Sequence, residues 1–237
     1  MPLLVRTWNL FHGNAVPPER RAFLEQMVRL ATADEPDVLC LQEVPLWALL
    51  HLGAWSGMTA AAAVAARPRL LSAELGRLIT DVHHGLVRSA FTGQANAVLI
   101  RRSLRTLEER SFRISRRGEG ERRVCQAVRV ADLGLVGNFH VTDAYANAQL
   151  LRGAGFVDAL AQPDEAVMVC GDANVRPGQS GAYDELGERG FSEPAPGIDQ
   201  ILVRGLPSTP PLVWPEERRR VGGRLLSDHA PVELHVG

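Results

Sequence analysis

The chain contains no lysine. All 26 of its basic residues are arginine, set against 27 acidic residues, which leaves a formal net charge of −1. A chain so balanced has no global field to draw it onto nucleic acid or an anionic membrane. With the abundance of alanine and glycine, the missing lysine reflects a GC-rich coding bias more than a function. Cysteine is scarce: residues 40, 125 and 170 each sit in an apolar run. An odd number of such cysteines excludes a disulfide framework and implies reduced, buried thiols. There is no Cys/His cluster of the kind zinc requires. No apolar run approaches the roughly 18 residues of a membrane span. The opening "MPLLVRTWNL" is interrupted by Arg6 too early to be a signal peptide, so the expected location is the cytoplasm.

What remains is an ordinary globular composition, 46% hydrophobic and 22% charged over 237 residues. That length suits one domain spanning 1–237. Apolar stretches at 3–9, 37–43, 95–102, 105–114, 122–130, 134–141, 166–171 and 197–203 read as strands, with "PLVWP" and "APVELHV" closing the chain. Helices are expected over 17–33, opened by Pro17 and Pro18, over 73–82, over 143–161 and within "GAYDELGERG"; Trp47, Leu49 and Leu50 suit a short one. The alanine-rich 53–70 lacks periodicity and reads as a loop or weak helix. The order is βαβ, an antiparallel run, then βαβ and closing strands. This favours an α+β sandwich over a doubly wound parallel sheet.

These apolar strands end in polar groups. Asn9 closes the first, Gln42 and Glu43 the second, and His140 follows Asn138 in "GLVGNFHV". Asp172 and Asn174 follow "VMVC", Asp199 lies in "GIDQILV", and Asp228 and His229 precede the last strand. Burying such groups without partners is costly, so they need one another, a metal, or both. Glu43, Asp228 and the Asn9 amide are hard oxygen donors suited to Mg²⁺. Asp199 and His229 form a plausible carboxylate–imidazole pair. Asp172 and Asn174 could orient a water and donate to a phosphoryl oxygen.

In this order, "TWN" (7–9), "LQE" (41–43), "NFH" (138–140), "GDAN" (171–174), "ID" (198–199) and "SDH" (227–229) resemble the endonuclease/exonuclease/phosphatase (DNase I-like) superfamily. The resemblance implies a four-layer sandwich of two mainly antiparallel or mixed β-sheets flanked by helices. It implies Asn9, Glu43 and Asp228 at or beside the metal, Mg²⁺ with Mn²⁺ as a substitute. His140 would contact the scissile phosphate as a general acid, and Asp172 and Asn174 would position the attacking water and brace the phosphate. Asp199 would hold His229; whether His229 or Asp172 is the base, and whether one metal or two bind, stays open. "QANAVLI" (94–100) resembles a family segment that would set Asn96 against the substrate; Gln42 is a further substrate-binding candidate.

Blander readings stand beside these. Asp172 and Asn174 could form a turn with the following Pro-Gly, and His140 alone could be a core histidine. Adjacent His83 and His84 point to opposite faces if extended and rarely share one ion. His12 falls near Asn9 by chain proximity. Nine arginines between 101 and 123 could form a phosphate stripe, but interleaved glutamates favour a solvated hairpin, and "EERRR" (216–220) reads as a solvated turn. The leading expectation is a monomeric Mg²⁺-dependent phosphoesterase cleaving a phosphodiester, with nucleic acid among its candidate substrates. The alternatives are a phosphomonoesterase of the same fold acting on an inositol phosphate, lipid or nucleotide, and a non-catalytic binding module. A calcineurin-like metallophosphatase fits poorly, because its Gly-Asn-His block follows its Gly-Asp block, the reverse of the order here.

Overall fold

In a computed structural model, the chain is described over residues 2–19, 21–67, 78 and 92–237. Two large sheets face each other. The first has the order β11-β14-β1-β3-β5-β4, built from β1 (Leu3–Asn9), β3 (Val38–Val44), β4 (Thr59–Ala66), β5 (Gln94–Ile100), β11 (Leu212–Val213) and β14 (Val232–Val236). The second runs β10-β9-β8-β7-β6, from β6 (Thr106–Arg113), β7 (Val124–Val130), β8 (Gly134–His140), β9 (Val167–Asp172) and β10 (Asp199–Arg204). A small third sheet joins β2 (Ala15–Val16), β12 (Arg220–Val221) and β13 (Arg224–Leu226). Parallel pairs β1–β3 and β8–β9 sit among antiparallel neighbours.

Helices cover the outer faces. On α1 (Leu24–Ala31), Leu24, Met27, Val28 and Ala31 fall on one face and pack with Trp8, Leu39 and Leu41 of the first sheet; Leu52 of α2 (Leu52–Ser56) joins them. Leu150, Ala154 and Val157 of α3 (Ala146–Leu160) and Leu186 of α4 (Ala182–Glu188) cover Leu135, Phe139 and Val169 of the second sheet. The result is the expected four-layer α+β sandwich. Among the described residues no helix is long and apolar enough to cross a membrane. Cys40, Cys125 and Cys170 are buried free thiols, and burial pushes the Cys40 and Cys125 thiols up.

The layer between the sheets changes character along its length. Strand alternation puts Val5, Thr7 and Asn9 on one face of β1, and likewise Cys40 and Gln42, Val98 and Asn96, Val136 and Asn138, Cys170 and Asp172, and Ile201 and Asp199. The first residue of each series is hydrocarbon or thiol core. One step along comes a rung of amides: Gln42 Nε2 donates to Thr7 Oγ1 (2.9 Å) and Asn138 Oδ1 (2.8 Å), and Asn138 Nδ2 donates to the carbonyls of Leu41 and Ala97. Asn96 Nδ2 donates to the Val124 carbonyl at 3.0 Å. The acidic and imidazole groups lie at the open end.

Several local expectations are corrected. The helix expected from Pro17 begins only at Leu24, since Val16 and Pro17 each precede a proline and are steered away from helical ψ. The loop or weak helix expected over 53–70 contains the end of α2 and all of β4, whose "TAAAAVAA" puts alanine on both faces and so erases the hydrophobic alternation. The helix expected over 73–82 lies, apart from Leu78, outside the described residues, as do His83 and His84. In "EERRR" the chain forms a short 3-10 turn, but Arg219 is buried, not solvated.

Candidate active site

The site is built from strand ends. In β3 the pairing to β5 slips between Leu41 and Val44, so Gln42 and Glu43 together oppose Asn96. This bulge holds Glu43 at φ +54° and re-aims its carboxylate, while Gln42 keeps its place between the sheets. Glu43 Oε2 lies 3.3 Å from His12 Nε2, and Oε1 lies 3.8 Å from His140 Nε2. The proximity expected of His12 is therefore met.

In the second sheet, register sets His140 beside Asp172 and Asp172 beside Asp199. Gly171, at φ +136°, crosses β8 so closely that a Cβ would collide with the Phe139 carbonyl oxygen. Only glycine fits there, and it lets the chain deliver Asp172 at this height. Asp172 is almost fully buried, yet well furnished with donors. Its Oδ2 accepts from Asn9 Nδ2 (2.9 Å) and Asn174 Nδ2 (3.1 Å), and its Oδ1 from the Asn174 N–H (2.9 Å). His140 Nε2 stands 3.3 Å from Oδ2 and His229 Nε2 3.8 Å from it. Burial and the neighbouring Asp199 carboxylate lift Asp172 to about 7, against the pull of His229 and the donated hydrogen bonds.

The loop after β13 carries Asp228 and His229. Ser227, at φ +60°, donates from Oγ to the Asn9 carbonyl at 2.7 Å and accepts from the His229 N–H at 3.1 Å. Trp8 Nε1 donates to the His229 carbonyl at 3.0 Å. Arg219 Nη1 reaches the carbonyls of Leu226 (3.2 Å), Ser227 (2.7 Å) and His229 (3.1 Å). His229 Nδ1 sits 2.9 Å from Asp199 Oδ2. Burial opposes a charged imidazole, but the bond and charge of Asp199, with Asp172 and Asp228, outweigh it and raise His229 to about 10. Burial also raises Asp228 against the pull of His229, and the Glu43 carboxylate adds to the rise.

The structure therefore brings together Asn9, Glu43, His140, Asp172, Asn174, Asp199, Asp228 and His229. It does not place Gln42 or Asn96 on a substrate-facing surface. Both are essentially inaccessible, and their amide groups donate to Thr7, Asn138 and the Val124 backbone, because alternation directs them into the inter-sheet layer. Asn9 and Asn174 are also committed. Asn9 Oδ1 accepts from the Phe11 N–H, and Asn174 Nδ2 donates to the Val141 carbonyl as well as to Asp172. Sequence reading missed Arg219 and Arg123, the latter 2.8 Å from His140 Nδ1. Both were hidden within arginine-rich runs.

Two donor sets could hold a cation. Glu43 and Asp228 offer hard carboxylate oxygens that repel each other unless a positive charge intervenes, which fits Mg²⁺. Asp172, Asp199 and His229 also have ligand atoms within 4.8 Å of one another. Of these three, Asp199 and His229 are already hydrogen-bonded to each other, and a protonated His229 has no lone pair to give. The Glu43–Asp228 side fits a metal better.

Facing sheets that gather carboxylates, imidazoles and amides at one open end define a hydrolytic sandwich of the phosphoesterase type. The chain belongs to the Endonuclease/Exonuclease/phosphatase family, whose model matches residues 7–229, and whose members are hydrolases of phosphate esters. Solved structures of the same fold include an endonuclease/exonuclease/phosphatase from Beutenbergia cavernae, 17% identical with a TM-score of 0.70 over 99% of this chain and 71% of that one. The mannosyl-6-phosphatase of Bacteroides thetaiotaomicron is 15% identical, with a TM-score of 0.68 over 99% of each chain. The catalytic domain of human Nocturnin is 16% identical, with a TM-score of 0.69 over 100% of this chain and 93% of that one. At these identities the likeness is one of fold. No curated protein sequence matches the chain.

Proposed function

We propose that the chain is a Mg²⁺-dependent phosphodiesterase, with the metal held by Glu43 and Asp228. The observation that carries this reading is the convergence of Asn9, Asn174, His140 and His229 on the buried carboxylate of Asp172. A carboxyl poised near 7 is matched to taking a proton from water at neutral pH. His229, charged across that range, suits stabilisation of the developing phosphoryl charge and not proton abstraction. Asp199 fixes its ring, and Asn9 and Asn174 fix Asp172. The metal, when bound, would supply further charge neutralisation and lower the pKa of a coordinated water.

A cavity of about 340 Å³ adjoins Asp199, Asp228 and His229, with Arg176, Ile198 and Val213 among its walls. Space beside these groups for a second phosphate substituent is what supports a diester over a monoester. The test compares a phosphodiester and a phosphomonoester with Mg²⁺ and with chelator. Diester turnover that chelator abolishes and Mg²⁺ restores is the expected result, and Glu43→Gln should raise the Mg²⁺ needed. A preference for the monoester would overturn the diester reading; turnover untouched by chelator would overturn the metal.

A further inference from the structure

The two ring nitrogens of His140 face different surroundings. Nδ1 lies 2.8 Å from Arg123 Nη1 and 3.0 Å from Gln94 Nε2. A guanidinium only donates, so the nitrogen it meets must accept, and the Gln94 amide group turns its NH₂ to the same side. The ring hydrogen then belongs on Nε2, which faces the cleft 3.3 Å from Asp172 Oδ2. Arg123 is itself bracketed: its Nε lies 3.4 Å from Thr142 Oγ1 and its Nη2 3.4 Å from Glu121 Oε2. Gln94 is buried at the start of β5, on the same face as Asn96 and Val98.

We propose that Arg123 and Gln94 are positioning residues that lock His140 as its Nε2–H tautomer, making it a hydrogen-bond donor to a phosphoryl oxygen. A ring in this state, with donors already on Nδ1, has no dissociable imidazolium proton to deliver. The general-acid role expected from the sequence is thereby replaced. The placement of the hydrogen rests on geometry alone; its use on a phosphoryl oxygen rests on the function proposed above.

The experiment records long-range ¹H–¹⁵N spectra of the full chain with ¹⁵N-labelled histidine, the His140 signal being assigned by its loss in His140→Gln. The wild type should show the hydrogen on Nε2. Arg123→Met combined with Gln94→Glu replaces two donors by an acceptor and should move it to Nδ1, with kcat falling about 100-fold. Arg123→Lys, which keeps a donor, should keep the wild-type pattern and recover part of the turnover. If the double variant fails to fold, the wild-type and Arg123→Lys spectra still decide the tautomer. A wild-type spectrum with the hydrogen on Nδ1, or a double variant with unchanged spectrum, overturns the lock. A moved hydrogen with unchanged kcat overturns the donor role. Absence of turnover in the wild type beside the expected spectrum would count against the proposed function and leave the lock standing.

Discussion

Asp199 holds His229 by a bond of 2.9 Å from carboxylate to Nδ1, and this contact ties the charge of the ring to the folded state. His229 rises from 6.5 to about 10 on folding. A base raised in this way contributes stability that is fully present below about 6.5 and is lost as pH climbs through about 10. Urea denaturation of the wild type from neutral pH to about pH 10.5 should therefore show a loss on the order of 2–4 kcal/mol. In Asp199→Asn the carboxylate charge that raises His229 is gone and the decline should flatten. An equal decline in both proteins would refute the linkage. Turnover of the variant should fall at least about 100-fold.

Asp172 behaves in the opposite sense. Its carboxyl is lifted from 3.8 to about 7 by burial and by Asp199, so ionisation is resisted in the folded protein. As a proton acceptor it should give kcat/KM a limb that rises with pH and levels off above about 7. Asp172→Asn should lower turnover by about 10³-fold or more while its circular dichroism matches the wild type. Near-normal turnover in this variant would remove Asp172 from the chemistry.

Arg219 closes the loop that carries Asp228 and His229 by donating to three of its carbonyls. Arg219→Met takes this donor from all three, although the His229 carbonyl keeps Trp8 Nε1, at about 1–3 kcal/mol for a group left unpaired. A loss of about 2–4 kcal/mol in denaturant unfolding is expected, with a fall in kcat larger than any change in KM. Unchanged stability would show that the loop holds its shape without the guanidinium.

Gly171→Ala meets both a disfavoured φ and the Phe139 carbonyl. The collision lies between β8 and β9, directly beneath His140 and Asp172, and neither strand can move without breaking register. A loss exceeding about 3 kcal/mol, or failure to obtain folded protein, is the expected outcome of a thermal melt. A melting temperature within a few degrees of wild type would mean that the strands separate more easily than their pairing indicates.

Much of this was legible in the chain. Asn9, Glu43, His140, Asp172, Asp199 and His229 announce themselves because each closes, opens or just precedes an apolar strand, and strand ends on one side of a sandwich converge. Gln42 and Asn96 misled for a related reason. They too are polar groups near strand ends, but alternation turns them inward one rung below the opening, and the bulge that separates Gln42 from Glu43 leaves no mark in composition. Strand β4 was invisible because alanine fills both faces of it. Arg123 and Arg219 could not be told from their neighbours, since the same residue type is solvated at 116 and 117 and buried at 219. What separates them is which backbone carbonyl or ring nitrogen the fold brings within reach.

The rung of Gln42, Asn96 and Asn138 beneath the reactive groups makes the floor of the cleft rigid. Its hydrogen bonds cross from one sheet to the other, so the two walls cannot spread to admit a larger substrate without breaking several buried bonds together. Selectivity must then be decided at the rim, in segments such as the Arg176 turn. That turn can change while the spacing between the carboxylates and imidazoles below it stays as it is.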